Sequence, residues 1–216
     1  MAGVEGVGGD IAHGSVGSMG AAADCESIGG GLLRQPVNSI TTLALVAAGL
    51  WIVTRRPDRG WVGVAVMATG VGSLLFHGPM PAGAEWAHDV TLAWLLLVVA
   101  GTGTGWEKTT HVPGLLVLGG LFALLPAIAD PVAVVITVIV VVVRIRLDRS
   151  SATWGAFSLL AASAIVGRLG ATGWPLCDPN SILQTHGLWH LSAAVAVVWW
   201  ATGTDSHSSS THTHVS

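Results

Sequence analysis

Seven apolar runs dominate the chain, and short polar joints separate them. A helix that crosses a bilayer needs about 20 predominantly apolar residues, and each run reaches or nearly reaches this length. With 51% hydrophobic and only 10% charged residues, the chain has too little polar surface to cover a water-soluble globule. The sequence therefore predicts an all-α fold, an integral membrane bundle of seven transmembrane helices. The predicted spans are 38–54, 61–76, 88–104, 112–129, 131–143, 153–169 and 182–202.

Two features decide how the fourth and fifth runs are interpreted. Asp130-Pro131 lies between them, and because proline has no backbone N–H to donate, it predicts a break between two tightly joined helices. The fifth run reads VAVVITVIVVVV from Val132, and so many β-branched residues would favour a strand in water. Between membrane-spanning neighbours, we predict a lipid-facing helix instead.

Positive charges predict the orientation of the bundle, because Lys and Arg near helix ends are retained on the cytoplasmic side. If the N-terminus is outside, the inside loops hold seven of the nine basic residues. These seven are Arg55, Arg56, Arg59, Lys108, Arg144, Arg146 and Arg149, against Arg34 and Arg168 outside. We therefore expect an outside N-terminus, a cytoplasmic C-terminus and a location in the plasma membrane of a prokaryote.

The two ends of the chain differ in composition from the runs between them. Residues 1–23 are rich in Gly and Ala without a continuous apolar stretch, and we predict a flexible tail there. Residues 204–216 are mostly Ser, Thr and His and cannot bury enough apolar area to fold, which predicts a disordered tail. Its histidines could bind metal loosely, but a solvated tail is the better interpretation. The membrane domain is then 24–203.

The two cysteines provide a check on the orientation. Cys25 precedes the first predicted span and Cys177 precedes the seventh, so the same topology places both outside. An oxidising compartment permits a disulfide there, and we predict a Cys25–Cys177 bond. Two unpaired thiols are the alternative, since two cysteines alone do not establish proximity.

Three histidines lie at the outer edge of the predicted membrane region. His77 ends the second span, and His186 and His190 open the seventh. An ionisable side chain at this depth is costly unless it is paired or liganded. His186 and His190 are four residues apart and share one helical face, the spacing that lets two imidazoles reach one metal ion. With His77 as a third ligand, the set suits Zn²⁺ and leaves a fourth position open for water.

Two further polar residues on the same side are candidates for catalysis. Ser73 lies four residues before His77 on the same helical face, and its hydroxyl could bond a developing oxyanion. Asp89 opens the third predicted span and could orient or deprotonate a water. His88 is the main competitor as a third ligand, although we interpret it as a solvated interfacial residue. The alternative to a metal site is a set of buried histidines that bond carbonyls across helices.

These residues together resemble the alkaline ceramidase family, which belongs to a wider group of seven-helix metal hydrolases that includes adiponectin receptors and haemolysin-III-like proteins. The resemblance rests on GSLLFH at 72–77, Asp89, HGLWH at 186–190 and QPVNS at 35–39. It implies a zinc-dependent amidase that cleaves the N-acyl bond of a ceramide. Its zinc ligands would be His77, His186 and His190, with Ser73 and Asp89 as catalytic helpers. Gln35 stands where the eukaryotic enzymes place a calcium-binding glutamate, so we do not expect a calcium site.

The function predicted from the sequence is a membrane zinc hydrolase that cleaves a lipid amide, with ceramide or a related acyl amide as its partner. A receptor-like or sensor protein with a structural zinc site is the alternative. A solute transporter ranks third, because the fourth to sixth runs have almost no polar residues between their ends. A nucleic-acid partner is not expected, since the net charge is −3 and basic residues do not cluster.

Overall fold

The computed structural model describes residues 20–203, and all regular secondary structure in that range is helical. The helices are α1 (Pro36–Thr41), α2 (Leu43–Arg55), α3 (Gly60–His77), α4 (Ala84–Gly101), α5 (Glu107–Thr110), α6 (Val112–Leu124), α7 (Ala129–Leu147), α8 (Ser151–Leu169) and α9 (Thr185–Gly203). Short 3-10 turns occur at Ala22–Asp24, Pro57–Arg59 and Pro126–Ile128. The prediction of an all-α fold is confirmed.

Five helical segments within the described residues are long and apolar enough to cross a membrane. They are Pro36–Arg55, Pro57–His77, Ala84–Gly101, Pro126–Leu147 and Ser151–Leu169. Two other predicted spans form helices that do not meet both conditions. α6 has only 13 residues, and α9 has 19 but is less apolar, since its first turns carry two histidines. The chain therefore has the composition of a helical membrane protein.

The fourth and fifth runs form two separate, tightly joined helices, as predicted, but the position predicted for the break, Asp130-Pro131, is wrong. Both residues lie in the first turn of α7, and the chain breaks earlier, at Leu125-Pro126. The first four N–H groups of a helix have no partner within the helix, so proline loses no hydrogen bond at this position. The β-branched run from Val132 is helical, as predicted.

α3, α4 and α9 each pack against several other helices. α3 lies between α2 and α4, while α9 contacts α8 on one side and α1 and α2 on the other. α4 also packs against α6 and α7. The largest core cluster takes apolar side chains from most of these helices, including Ile52, Val66, Val98 and Phe122. This arrangement brings the C-terminal end of α3 close to the N-terminal ends of α1 and α9.

A pair of glycines lets α2 and α3 approach closely. A Cβ added at Gly49 would lie 2.5 Å from the carbonyl oxygen of Gly63, and one added at Gly63 would lie 2.7 Å from that of Gly49. Neither distance is sterically allowed, so the two backbones are in direct contact. Small residues at helix crossings are typical of packing within membranes.

The outer surface of the bundle is strongly apolar. Val134, Val135 and Val138 on α7 are 58–63% exposed, and Leu116 on α6 and Ile165 on α8 are exposed to a similar degree. A helix that is apolar on its exposed face as well as on its packed face has no favourable place in water. These surfaces therefore suit contact with lipid.

The segment 21–27, which we call the N-terminal strap, crosses one end of the bundle. Cys25 is disulfide-bonded to Cys177 in the loop between α8 and α9, so the predicted pairing is confirmed. The Thr172 hydroxyl accepts from the backbone N–H of Cys25 and donates to the carbonyl of Ala22. The strap is thus held against the loop that leads into α9.

The predicted tails fall almost entirely outside the described residues. Residues 1–19 and 204–216 are not described, so the structure bears on the N-terminal tail only at 20–23. Within that short stretch Ala21 is fully buried and packs with Phe76, Met80 and Ala84.

Candidate metal centre

The three predicted ligands meet at one end of the bundle. His77 is the last residue of α3, and His186 and His190 lie in the first turns of α9. The ring centroids are 4.9 Å apart for His77 and His186, 5.4 Å for His77 and His190, and 4.6 Å for His186 and His190. One nitrogen of each ring lies within 4.8 Å of the others, so the group could hold a metal ion. Their predicted convergence is confirmed.

Local sequence explains how α9 reaches this position. His186 and His190 follow each other by one helical turn, and Gly187 lies between them on the side that faces α1. A Cβ at Gly187 would lie 3.2 Å from the Thr41 hydroxyl oxygen, tighter than ordinary contact. The glycine therefore lets α9 approach α1 closely enough for His190 to contact Thr41.

An oxygen atom contacts the Nδ1 atom of each imidazole. His77 Nδ1 lies 2.6 Å from Gln35 Oε1, and His190 Nδ1 lies 3.0 Å from Thr41 Oγ1. His186 Nδ1 lies 3.1 Å from Asp24 Oδ1. Histidines that bind metals usually have such a partner on the second nitrogen, which fixes the ring orientation.

The environment of Gln35 assigns the tautomer of His77. Gln35 is fully buried, and its Nε2 donates to the carbonyls of Ala21, at 2.8 Å, and Glu26, at 2.9 Å. Its Oε1 must then accept from His77 Nδ1, because the amide has one nitrogen and one oxygen. The proton of neutral His77 is therefore on Nδ1, and Nε2 carries a free lone pair.

The Nε2 atoms are left for a ligand. Those of His77 and His186 are buried and have no hydrogen-bond partner among residues 20–203. His190 Nε2 lies 3.1 Å from the Ser73 hydroxyl oxygen. A buried polar atom without a partner costs about 1–3 kcal/mol, so two at one place require an explanation. Coordination of a cation such as Zn²⁺, which favours imidazole ligands, satisfies both nitrogens, and the residues fit the metal.

The two predicted catalytic residues occupy different positions. Ser73 is buried beside His190. Asp89 is half-buried and contacts His88, since its Oδ1 lies 3.0 Å from Nδ1 of His88. The His88 ring stacks on Phe76, and its centroid is 6.3 Å from that of His77. His88 therefore lies next to both Asp89 and His77.

Sequence reasoning assigned no role in the centre to Asp24 or Thr41. Asp24 lies in the 3-10 turn of the strap, and burial raises the pKa of its carboxyl to about 7, an effect that the nearby His88 partly opposes. A signal was present, because Asp24 precedes Cys25, and the predicted disulfide brings this part of the chain to the start of α9. Thr41 offers no comparable signal, since threonine on the first predicted span is unremarkable by itself.

The fold and the site define a helical protein of membrane composition with a group of three histidines at one end, of which His77 and His190 are buried and His186 is half-buried. No family model, curated protein or solved structure matches the chain. The ceramidase resemblance therefore stays a prediction, carried by the residues quoted above.

Proposed function

We propose that the chain is a zinc-dependent membrane hydrolase that cleaves a lipid amide such as the N-acyl bond of a ceramide. The observation that supports this is that the two nitrogens of each imidazole have different surroundings. Each Nδ1 contacts an oxygen, while the Nε2 atoms of His77 and His186 are buried without a partner in the described part of the chain. Three protein ligands leave a fourth position open, which is typical of catalytic rather than structural zinc sites.

Bound zinc would act as a Lewis acid and would lower the pKa of a coordinated water to about 7. The side chains around it have roles that follow from their positions. Ser73 Oγ, beside His190 Nε2, can donate a hydrogen bond to the carbonyl oxygen of the scissile amide as negative charge develops there. Asp89, which contacts His88 Nδ1, would act with His88 as the general base that takes a proton from the attacking water and as the general acid that returns it to the leaving amine.

We further propose that seven helices cross the membrane, with α6 and α9 added to the five that qualify by length and composition. The charges support the orientation, because Arg59 precedes α3 and His77 ends it, 18 helical residues or about 27 Å away. Basic residues kept inside would then place the histidines outside. The proposed location is the plasma membrane of a prokaryote, with an outside N-terminus and a cytoplasmic C-terminus.

The test is fatty-acid release by purified protein in detergent from a panel of N-acyl sphingoid bases and ester lipids, measured by mass spectrometry. Metal content of the same samples is measured in parallel. His77→Ala, His186→Ala and His190→Ala should each lose zinc and at least 100-fold in turnover, since one ligand is removed. His111→Ala is the matched control, because His111 stacks on Trp61 at the other end of the bundle. Bound zinc without release from any lipid would contradict the proposal.

A further inference from the structure

We infer that Asp24 is a positioning residue of the metal centre and that the N-terminal strap is the element that delivers it. This inference rests on the proposed zinc site, although not on the reaction proposed for it. The Asp24 carboxylate contacts two of the three imidazoles. Its Oδ1 lies 3.1 Å from His186 Nδ1, and its Oδ2 lies 4.0 Å from His77 Nδ1.

The carboxylate is placed where it can orient His186. The Asp24 side chain is 19% exposed and that of His186 is 24% exposed, so the pair is only partly hydrated. A carboxylate that accepts from Nδ1–H holds the proton on that nitrogen, turns Nε2 toward the metal and makes the imidazole a more basic ligand. Gln35 has the corresponding position at His77, and Thr41 at His190. Asp24 is the carboxylic acid in this set, next to an amide and a hydroxyl.

The strap is fixed to two other parts of the protein. Cys25 is bonded to Cys177, and Ser27 N–H donates to the carbonyl of Pro179 at 3.1 Å. These contacts tie the strap to the loop that precedes α9. Because Cys25 follows Asp24 directly, the disulfide limits how far the carboxylate can move from His186.

The strap is also tied to the start of α1. The Glu26 carboxylate accepts from the backbone N–H groups of Val37, at 2.7 Å, and Asn38, at 2.8 Å. Gln35 donates to the carbonyls of Ala21 and Glu26 while its oxygen contacts His77. The strap therefore contacts the loop that leads to His186 and His190, and it contacts Gln35, whose oxygen contacts His77.

The decisive measurement is zinc affinity of the full-length protein, by competition with a chromophoric chelator. Asp24→Asn keeps the shape of the side chain and removes its charge, and it should weaken zinc binding by 10–100-fold. Asp24→Glu should recover part of this loss. The visible spectrum of the Co²⁺-substituted protein should change in Asp24→Asn, because the ligand field depends on the orientation of His186. Asp58→Asn, an exposed carboxylate at the opposite end, is the matched control and should leave affinity and spectrum unchanged.

A second variant tests the strap itself. Cys25→Ser with Cys177→Ser releases the strap from the α8–α9 loop and should weaken zinc binding in the same direction. Adding Asp24→Asn to this double variant should then cost less than it does in the native chain, since both changes disturb one contact. Full additivity of the two effects would show that the disulfide does not act through Asp24 and would overturn the role of the strap.

The outcomes separate this inference from the proposed reaction. Native zinc affinity and an unchanged Co²⁺ spectrum in Asp24→Asn would overturn the inference and leave the hydrolase proposal standing. Zinc binding that depends on Asp24, without release of fatty acid from any lipid, would support the inference and contradict the hydrolase.

Discussion

The three imidazoles have six ring nitrogens, and side chains of the protein contact four of them. Gln35, Asp24 and Thr41 contact the three Nδ1 atoms, and Ser73 contacts Nε2 of His190. The two that remain belong to His77 and His186 and are buried without a partner within residues 20–203. A cation that accepts lone pairs removes the cost of leaving them unbonded.

Gln35 offers a first prediction at this scale. Gln35→Leu leaves Nδ1 of His77 without an acceptor and the carbonyls of Ala21 and Glu26 without a donor. We expect a loss of about 1–3 kcal/mol in the free energy of unfolding and weaker zinc binding. Chemical denaturation and chelator competition measure the two quantities. Ser39→Ala is the control. The buried Ser39 hydroxyl donates to the backbone carbonyl of Gln35, so its removal should lower stability without changing zinc affinity.

A substitution of Ser73 tests the proposed catalysis apart from metal binding. Ser73→Ala removes the hydroxyl that we assign to the oxyanion while leaving the three imidazoles in place. We expect kcat to fall about 10²–10³-fold, the usual loss for one oxyanion donor, with little change in zinc content. Native kcat in this variant would exclude the assigned role.

The sequence predicted which three histidines meet but not all of the residues that contact their Nδ1 atoms. His186 and His190 share a helical face, and the predicted spans placed His77 at the same end of the bundle, so apolar length and helical spacing were sufficient. The partners of Nδ1 depend on the path of the strap and on the approach of α9 to α1, and neither leaves a periodic pattern in the chain. The roles of Ser73 and Asp89 in catalysis stay predictions.

At the scale of single elements, helix identity was predictable and helix ends were less so. Apolar length alone indicated α3 and α8 to within two residues of their observed ends. Proline was misleading at Pro131 because its effect depends on where the helix begins, and the start of α7 follows the 3-10 turn at Pro126–Ile128. Pro126 sets this boundary locally, because the residue before a proline disfavours the helical conformation, and Leu125 is the C-cap residue of α6.

The contact between α2 and α3 predicts a steric penalty. Gly63→Ala would place a methyl group 2.7 Å from the Gly49 carbonyl oxygen and from a methyl carbon of Val53, so the helices must separate. We expect a loss of about 1–3 kcal/mol in the free energy of unfolding. Gly120→Ala in α6 has open space around it and should instead stabilise the protein by about 0.5–1 kcal/mol. Equal effects of the two substitutions would contradict the close approach.

The joint between α7 and α8 predicts a pH dependence. Partial burial raises the pKa of Asp148, but hydrogen bonds from the Thr153 hydroxyl and from Ser150 outweigh it, so the pKa is below the usual value. A lowered carboxyl pKa stabilises the fold above the unfolded pKa, and this contribution disappears as the pH falls through the folded pKa. Asp148→Asn should therefore be less stable than the native chain at pH 7. The difference should shrink below about pH 4, as measured by denaturation at each pH.

At the scale of the whole molecule, the two ends of the bundle are chemically opposite. The histidine end carries the strap and the disulfide. The other end carries arginines around Trp200, where the Arg59 and Arg144 guanidinium carbons lie 4.5 and 5.6 Å from the ring centroid. Arg144 is buried and donates to the carbonyls of Ala100 and Thr102 at the end of α4. This asymmetry supports the proposed orientation.

Reporter fusions test that orientation. A fluorescent protein that matures only in the cytoplasm should be bright when it is fused after Gly105 or Gly203 and dark after Gly173. Fusion protein levels are measured by immunoblotting, so that brightness is compared at equal amounts. A bright fusion after Gly173 would show that the α8–α9 loop is inside and that the number of crossings or their direction is wrong.

The distance along the chain between the ligands has a consequence for biogenesis. His77 leaves the ribosome more than a hundred residues before His190, and the separation between Cys25 and Cys177 is larger still. At roughly 5–20 residues per second, a nascent chain spends several seconds with one imidazole of the centre and none of the others. If the three histidines bind zinc as we propose, a complete site exists only after α9 has been synthesised and packed, and a chain stalled earlier has no complete site to fill.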